Sequence, residues 1–375
     1  MKRLRLLFIN ILLTVVSAAL VFGAALGADR ILDHLLPKPP YPGATGLLFP
    51  PQTEQYWKTH DYTCVDRINA LGFRDRDVSL EKGTAYRVLA IGDSFTYGWG
   101  VNLEETWVKI VEQNLCRQGM DVELLDLGKP AANPRQYVVI AEKAIPLLNP
   151  DLIVLGVLAG DDLQQIDFKY ALKDDYVHLF PGFSRVREHW KYFRGAPWPE
   201  VFPSTQSEEE DRNNLVRTAK EIFDGMGTDQ RARFDALETP VKDVFFNGML
   251  NPWMIGHATS APGYFLCLDS PDSMEYRFKR CVLTHELKRL KKVAGAYRVP
   301  VVTLSIPEGF LVNDTAYKNI QRVGFHMTPG LLMSENADKA VQQACASAGI
   351  PFHEVSQGFR DRRGAPALYF ELDRH

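Results

Sequence analysis

Five short apolar runs, at residues 86–91, 122–127, 152–158, 301–305 and 351–355, limit what this chain can fold into. Segments with helical spacing precede or follow most of them. Residues 104–115 place Trp107, Ile110, Val111 and Leu115 on one helix face, and residues 276–297 do the same with Phe278, Val282, Leu290 and Val293. The stretch after Ser334 puts Ala337, Val341, Ala344 and Ala348 on one side and stops at Gly349, with the N-cap and C′ glycine of a helix. Strands alternating with helices predict an α/β domain built on a parallel sheet covered on both faces.

Other features set limits on either side of that domain. Residues 6–28 are almost wholly apolar and follow Lys2, Arg3 and Arg5. At about 1.5 Å per residue such a stretch spans a hydrocarbon core of roughly 30 Å as one helix. The basic end would stay in the cytoplasm and the main body would lie outside it, in a bacterial periplasm. The rival is a cleaved signal peptide, whose apolar core is usually about 7–15 residues, shorter than this one. Pro37, Pro39, Pro40, Pro42, Pro50 and Pro51 then make a stiff spacer. Between the third and fourth strands, residues 167–272 lose the strand–helix rhythm, which marks an insertion, cap or small subdomain. Its acidic run, residues 208–211, reads as a solvated face. A net charge of −3, from 43 Lys plus Arg against 46 Asp plus Glu, argues against a nucleic-acid partner. Five scattered cysteines do not make a disulfide scaffold.

The chemistry concentrates at strand ends. The first strand closes in Gly92-Asp93-Ser94, a turn that places the Ser94 hydroxyl where open α/β sheets bind ligands. A serine there also caps turns, and a phosphate loop is the other reading, but the Gly-Lys-Ser/Thr ending of a Walker loop is absent. Gly128 follows the second strand and can offer a backbone N–H; Ala159-Gly-Asp-Asp162 follows the third. Paired aspartates suit a metal or plain surface charge, yet no histidine set at metal-ligand spacing accompanies them, so neither metal nor cofactor is expected. Among nine histidines, His375 is best placed to be a base, because it follows the last strand and Asp373 stands two residues before it.

Together these blocks resemble the SGNH (GDSL-type) hydrolase family, in particular its membrane-anchored bacterial members, from about Asn69 to His375. Asn69-Ala-Leu-Gly-Phe-Arg-Asp75 is similar to the segment before the nucleophile block of that group. The resemblance implies a flavodoxin-like three-layer sandwich with a five-stranded sheet, occupying residues 85–375 after an anchor (1–28) and a spacer and lead-in (29–84). It implies a catalytic Ser94, Asp373 and His375, and an oxyanion hole from Ser94, Gly128 and the position of Asp161. Asp161 departs from the family asparagine, and a carboxylate cannot donate to an oxyanion unless protonated. Ala159 also stands where that block usually has glycine, and the family pattern continues past the histidine into a final helix. The expected activity is hydrolysis of an O-acyl ester, with a small-molecule or envelope-glycan substrate. An acyltransferase and a non-catalytic glycan-binding scaffold are the alternatives. Tyr170, Trp190, Tyr192, Phe193 and Trp198 are expected either to line a cleft or to form the insertion's own core.

Overall fold

The computed structural model describes residues 46–166, 207–365 and 368–375, preceded by Asn10, residues 12–17 and 20–24, and Gly27. The chain divides into two units, residues 1–43 with 168–199 and residues 44–167 with 200–375. In the first, the described residues are helical and exposed, and the Thr14 hydroxyl donates to the Asn10 carbonyl at 2.8 Å. The anchor expected over residues 6–28 falls partly outside the described residues. Among the described residues, no helix is long and apolar enough to cross a membrane. Tyr170, Trp190, Tyr192, Phe193 and Trp198, and four of the six spacer prolines, also lie outside them.

The second unit begins with an antiparallel hairpin, β1 (Glu54–Lys58) and β2 (Thr63–Arg67), paired in register with Tyr56 opposite Val65. The lead-in expected within residues 29–84 thus contains a paired hairpin at 54–67, while residues 29–45 lie outside the described residues. The hairpin exists because Trp57, Tyr62 and Cys64 are buried against Tyr97 and Trp99, an aromatic cluster separate from the main core.

The main sheet comprises β3 (Tyr86–Gly92), β4 (Val122–Gly128), β5 (Leu152–Leu158), β6 (Val301–Ile306) and β7 (Phe352–Glu354). Each lies within one residue of its expected run. All neighbours are parallel and the order is β4-β3-β5-β6-β7. Counted along this sheet that is 2-1-3-4-5, the flavodoxin-like order, with its switch point between the carboxyl ends of β3 and β5. Alternate side chains serve two faces, as a strand's period of two requires. Leu89, Ile91, Leu125, Leu127, Ile153 and Leu155 join the main core, while Val88, Ala90 and Leu124 pack with Val108 on the other side.

Twelve helices join these strands among the described residues. They are α1 (Ser94–Tyr97), α2 (Trp107–Arg117), α3 (Pro134–Leu148), α4 (Ala159–Gln164), α5 (Glu208–Asp224), α6 (Thr228–Asp235), α7 (Thr239–Phe246), α8 (Pro252–Ser260), α9 (Met274–Ala296), α10 (Asp314–Arg322), α11 (Asn336–Ala348) and α12 (Ser356–Arg360). The main core is closed by α3, α9 and α11. A capping box of Asn133 and Gln136, with Pro134 in the first turn, starts α3. Gly349, at φ +68°, ends α11 as expected, although the residue at its N-cap is Glu335 and Ser334 accepts from the Asn336 N–H instead.

Two expected faces change. On α2, Ile110 and Val111 are exposed, and Val108, Lys109 and Glu112 are buried. The Lys109 ammonium pairs with Asp75 at 2.7 Å and Glu112 at 3.0 Å, so a buried ion network takes the side facing the sheet and turns the aliphatics outward. On α9 the buried stripe is Tyr276, Leu283, Leu287, Leu290 and Ala294, with Phe278, Val282 and Val293 half-buried on its flank. The acidic run opens α5 behind the N-cap Ser207, where negative charge suits the helix dipole. Its last residue is not solvated: Asp211 is buried and accepts from the Lys58 backbone N–H and the Gln55 amide, both at 3.3 Å.

Candidate active site

Ser94 is the first residue of α1, immediately beyond β3, and is 6% exposed. Asp93 caps the turn by accepting from the Phe95 N–H at 3.0 Å. The segment before β3 anchors this helix. Arg74, fully buried, donates to the carbonyls of Tyr97 (2.6 Å) and Gly98 (2.9 Å), and pairs with Asp66 at 2.9 Å. Asp66 in turn accepts from the Tyr97 hydroxyl at 2.9 Å and the Trp57 indole at 2.8 Å. Asp75 accepts from the backbone N–H of Asp126 on β4 at 2.9 Å. The resemblance block Asn69–Asp75 thus ties hairpin, nucleophile helix and sheet together.

The chain end returns to that helix. His375 Nε2 lies 2.7 Å from Ser94 Oγ, and His375 Nδ1 hydrogen-bonds the Asp373 carboxylate. With Asp373 accepting at Nδ1, Nε2 is left to accept the Ser94 proton. The imidazole sits against Phe95 and Trp99, with ring centroids 4.9 Å and 5.7 Å away. The other Asp373 oxygen accepts from the Trp99 indole (3.2 Å) and the Tyr62 hydroxyl (3.3 Å). Burial alone would raise the Asp373 pKa, but its contacts with His375 and Trp99 hold it below the ordinary carboxylate range. Asp61, in the β1–β2 turn, accepts from the N–H groups of Leu372 (2.7 Å) and Asp373 (2.8 Å). The structure therefore brings together Ser94, His375 and Asp373, and the hairpin supports them through Asp61 and Tyr62, which sequence reasoning missed.

The expected oxyanion donors fare differently. The Gly128 N–H is already donated to Asp126 Oδ1 at 2.9 Å. A side chain at Gly128 would stand 2.0 Å from the Tyr97 nitrogen, so glycine is needed there for the close approach of β4 and α1. The assignment of Gly128 to the oxyanion hole is corrected on that ground. Ala131, a few residues on, has φ +58° and lines the same cavity as Ser94. Among the described residues, neither its N–H nor that of Ser94 has a partner. An alanine in the left-handed region costs about 1–2 kcal/mol and leaves no signature in a sequence.

Asp161 is buried at the start of α4, as is Asp162. Asp162 accepts from the Tyr137 hydroxyl at 2.8 Å and the Leu158 N–H at 3.0 Å, a structural role. Asp161 is grasped end-on by Arg374, with Nη1 to Oδ1 at 3.0 Å and Nη2 to Oδ2 at 2.8 Å. It also accepts from Gln165 at 2.7 Å and Tyr264 at 3.1 Å. Burial opposes ionisation of Asp161, but Arg374 and these donors bring its pKa below the usual range. Glu308, fully buried, takes the second Nη1 proton of Arg374 at 3.2 Å. Burial, only partly offset by Arg374, pushes Glu308 up to about 8.

These groups open on one cavity of about 780 Å³, a usual size for a ligand site. It is lined by Ser94, Trp99, Ala131, Asp161, Arg374 and His375 together with residues between 222 and 264 that include Trp253, His257 and Tyr264. Burial holds the His257 imidazole below its ordinary pKa. All five cysteines are free thiols, and none lines this cavity.

Fold and site define a doubly wound α/β domain with a Ser–His–Asp constellation at its switch point. No protein-family model matches the sequence, and no curated protein is detectably similar to it. Among solved structures, the chain is similar to AlinE4, described as an SGNH-hydrolase family esterase, at 10% identity over 79% of this chain and 88% of that one, with a TM-score of 0.36. It is similar to TesA at 9% identity over 71% and 76%, with a TM-score of 0.29. A third is a catalytic mutant of Axe2, an acetylxylan esterase from Geobacillus stearothermophilus, at 10% identity over 77% and 90%, with a TM-score of 0.33. Likenesses this faint say nothing about the chemistry of Ser94, which follows from the site's own geometry.

Proposed function

We propose that the protein is a serine esterase of the SGNH type, hydrolysing a carboxylic ester through an acyl-enzyme on Ser94. The observation that carries this reading is the continuous hydrogen-bonded chain from Ser94 through His375 to Asp373, opening on a cavity large enough for an ester. Ser94 Oγ bonds to the acyl carbon while its proton passes to His375 Nε2, and the carbonyl electron pair moves onto oxygen. The backbone N–H groups of Ser94 and Ala131 receive that oxyanion. Collapse re-forms the carbonyl and expels the alcohol, which takes the proton from His375. Water, deprotonated by the same histidine, then releases the acid. An assembled triad disfavours the non-catalytic scaffold.

An O-acylated glycan is the substrate class best supported. Trp253, at the start of α8, is 57% exposed beside the cavity, a flat face on which a sugar ring can stack. Gln230, Asn251 and Ser260 line the same cavity and can hydrogen-bond hydroxyls. The apolar stretch at residues 6–28, behind Lys2, Arg3 and Arg5, supports a membrane-anchored enzyme facing the periplasm. Turnover of p-nitrophenyl acetate by the full chain is expected to need Ser94, and a Ser94→Ala variant as fast as the parent overturns the assignment. Adding a sugar acceptor to that assay distinguishes hydrolase from transferase, because acylated sugar would then replace free acid.

A further inference from the structure

The buried carboxylate of Asp161 poses a chemical problem in this site. It lines the same cavity as Ser94 and is held ionised by Arg374, so it would repel an oxyanion developing there. Its surroundings contain the answer. The Arg374 guanidinium has five N–H donors. Both Nη1 protons are donated, one to Asp161 Oδ1 and one to Glu308, and Nη2 lies 2.8 Å from Asp161 Oδ2 in the ion pair. The N–H at Nε and the second N–H at Nη2 have no partner among the described residues. The side chain is 14% exposed and lines the cavity with Ser94 and His375. Its backbone, between Asp373 and His375, is fixed by the same contacts that hold the triad acid and base.

Building on the acyl-enzyme reading of Ser94, we propose that Arg374 supplies the oxyanion donor that Asp161 cannot. Asp161 is then a positioning residue: its carboxylate clamps the guanidinium end-on, leaving the side-on edge free for the acyl oxygen. The pair does jointly what a single neutral amide would do at position 161. A cation is the stronger donor to an oxygen that gains charge in the transition state, so the interaction belongs to the chemical step more than to ground-state binding.

Two double variants test this without leaving either member of the Asp161–Arg374 pair buried alone, measured on the full chain with p-nitrophenyl acetate. D161L/R374M removes both charges and the guanidinium donor while leaving the backbone N–H groups of Ser94 and Ala131; kcat is expected to fall by about 10²–10³, the usual loss for one oxyanion donor, with KM within about threefold. D161N/R374M places a neutral amide at position 161 and is expected to recover at least about tenfold of that loss. A D161L/R374M kcat within about threefold of the parent overturns the proposal, and so does equal kcat in the two variants. Stoichiometric labelling of Ser94 by a fluorophosphonate in the parent, lost in Ser94→Ala, tests the underlying reading separately. A parent that labels normally beside a fully active D161L/R374M sinks only the role of Arg374. A parent without Ser94-dependent labelling or turnover sinks both.

Discussion

The reactivity proposed for Ser94 rests on its neighbours, and those neighbours differ in how visible they are in a sequence. Ser94, Asp373 and His375 could be picked out because strand-end position and a two-residue spacing are written along the chain. Gly128 was misread because a glycine that admits a neighbouring backbone looks the same as one that presents an N–H. Ala131 and Arg374, proposed as oxyanion donors, could not be picked out because neither residue type signals such a task; the signal is a positive φ and a long-range ion pair. Two expectations follow at this scale. Asp373→Asn removes the charge that orients the imidazole and should lower kcat by about 10⁴, as in other triads. Ala131→Gly relieves the left-handed alanine and should raise unfolding free energy by about 1 kcal/mol, measured by urea titration. A loss of stability there would count against the backbone geometry given to this turn.

The β1–β2 hairpin is the element the sequence hid most completely. Its short strands follow a proline-rich stretch and lack a two-residue turn signal, so local patterning favours a lead-in. Its reason for existing is tertiary: Trp57 and Tyr62 are buried only once Tyr97 and Trp99 are in place. The five sheet strands show the opposite case, since buried parallel strands are continuous apolar runs whatever surrounds them. The inverted face of α2 belongs with the hairpin, because a buried Lys109–Asp75–Glu112 network carries no apolar periodicity. Arg74 joins these elements to the nucleophile helix. Arg74→Met would leave Asp66 buried without its partner and should cost about 3–5 kcal/mol, seen as a lower urea midpoint with unchanged slope. A change under about 1 kcal/mol would mean that the helix is held by other contacts.

Across the molecule, the carboxylates beneath the site give stability a characteristic pH dependence. Burial raises Glu308 and Asp126 to about 8 and, with the charge of Asp161, Asp93 to about 7. The folded protein therefore keeps protons there that the unfolded chain releases near pH ~4. Their contribution is complete below that pH and is lost as pH rises through about 7 and 8. Asp161 and Asp373, held low, act in the opposite sense: their contribution is present above the ordinary carboxylate range and is lost as pH falls through their folded values. Melting temperature should thus decline from about pH 5 to about pH 8.5, and Glu308→Gln should flatten the upper part of that decline. A profile unchanged by Glu308→Gln would show that Glu308 is already ionised in the fold.

The central claim, covalent catalysis by Ser94 with His375 as base, is tested most directly by trapping the acyl-enzyme. The full chain would be mixed with p-nitrophenyl acetate, quenched in acid and mapped by peptide mass. A single acetyl group on Ser94, absent from Ser94→Ala and strongly reduced in His375→Ala, is the predicted result. Ester turnover with no acetyl group on Ser94, or with the acetyl group on another residue, would contradict it.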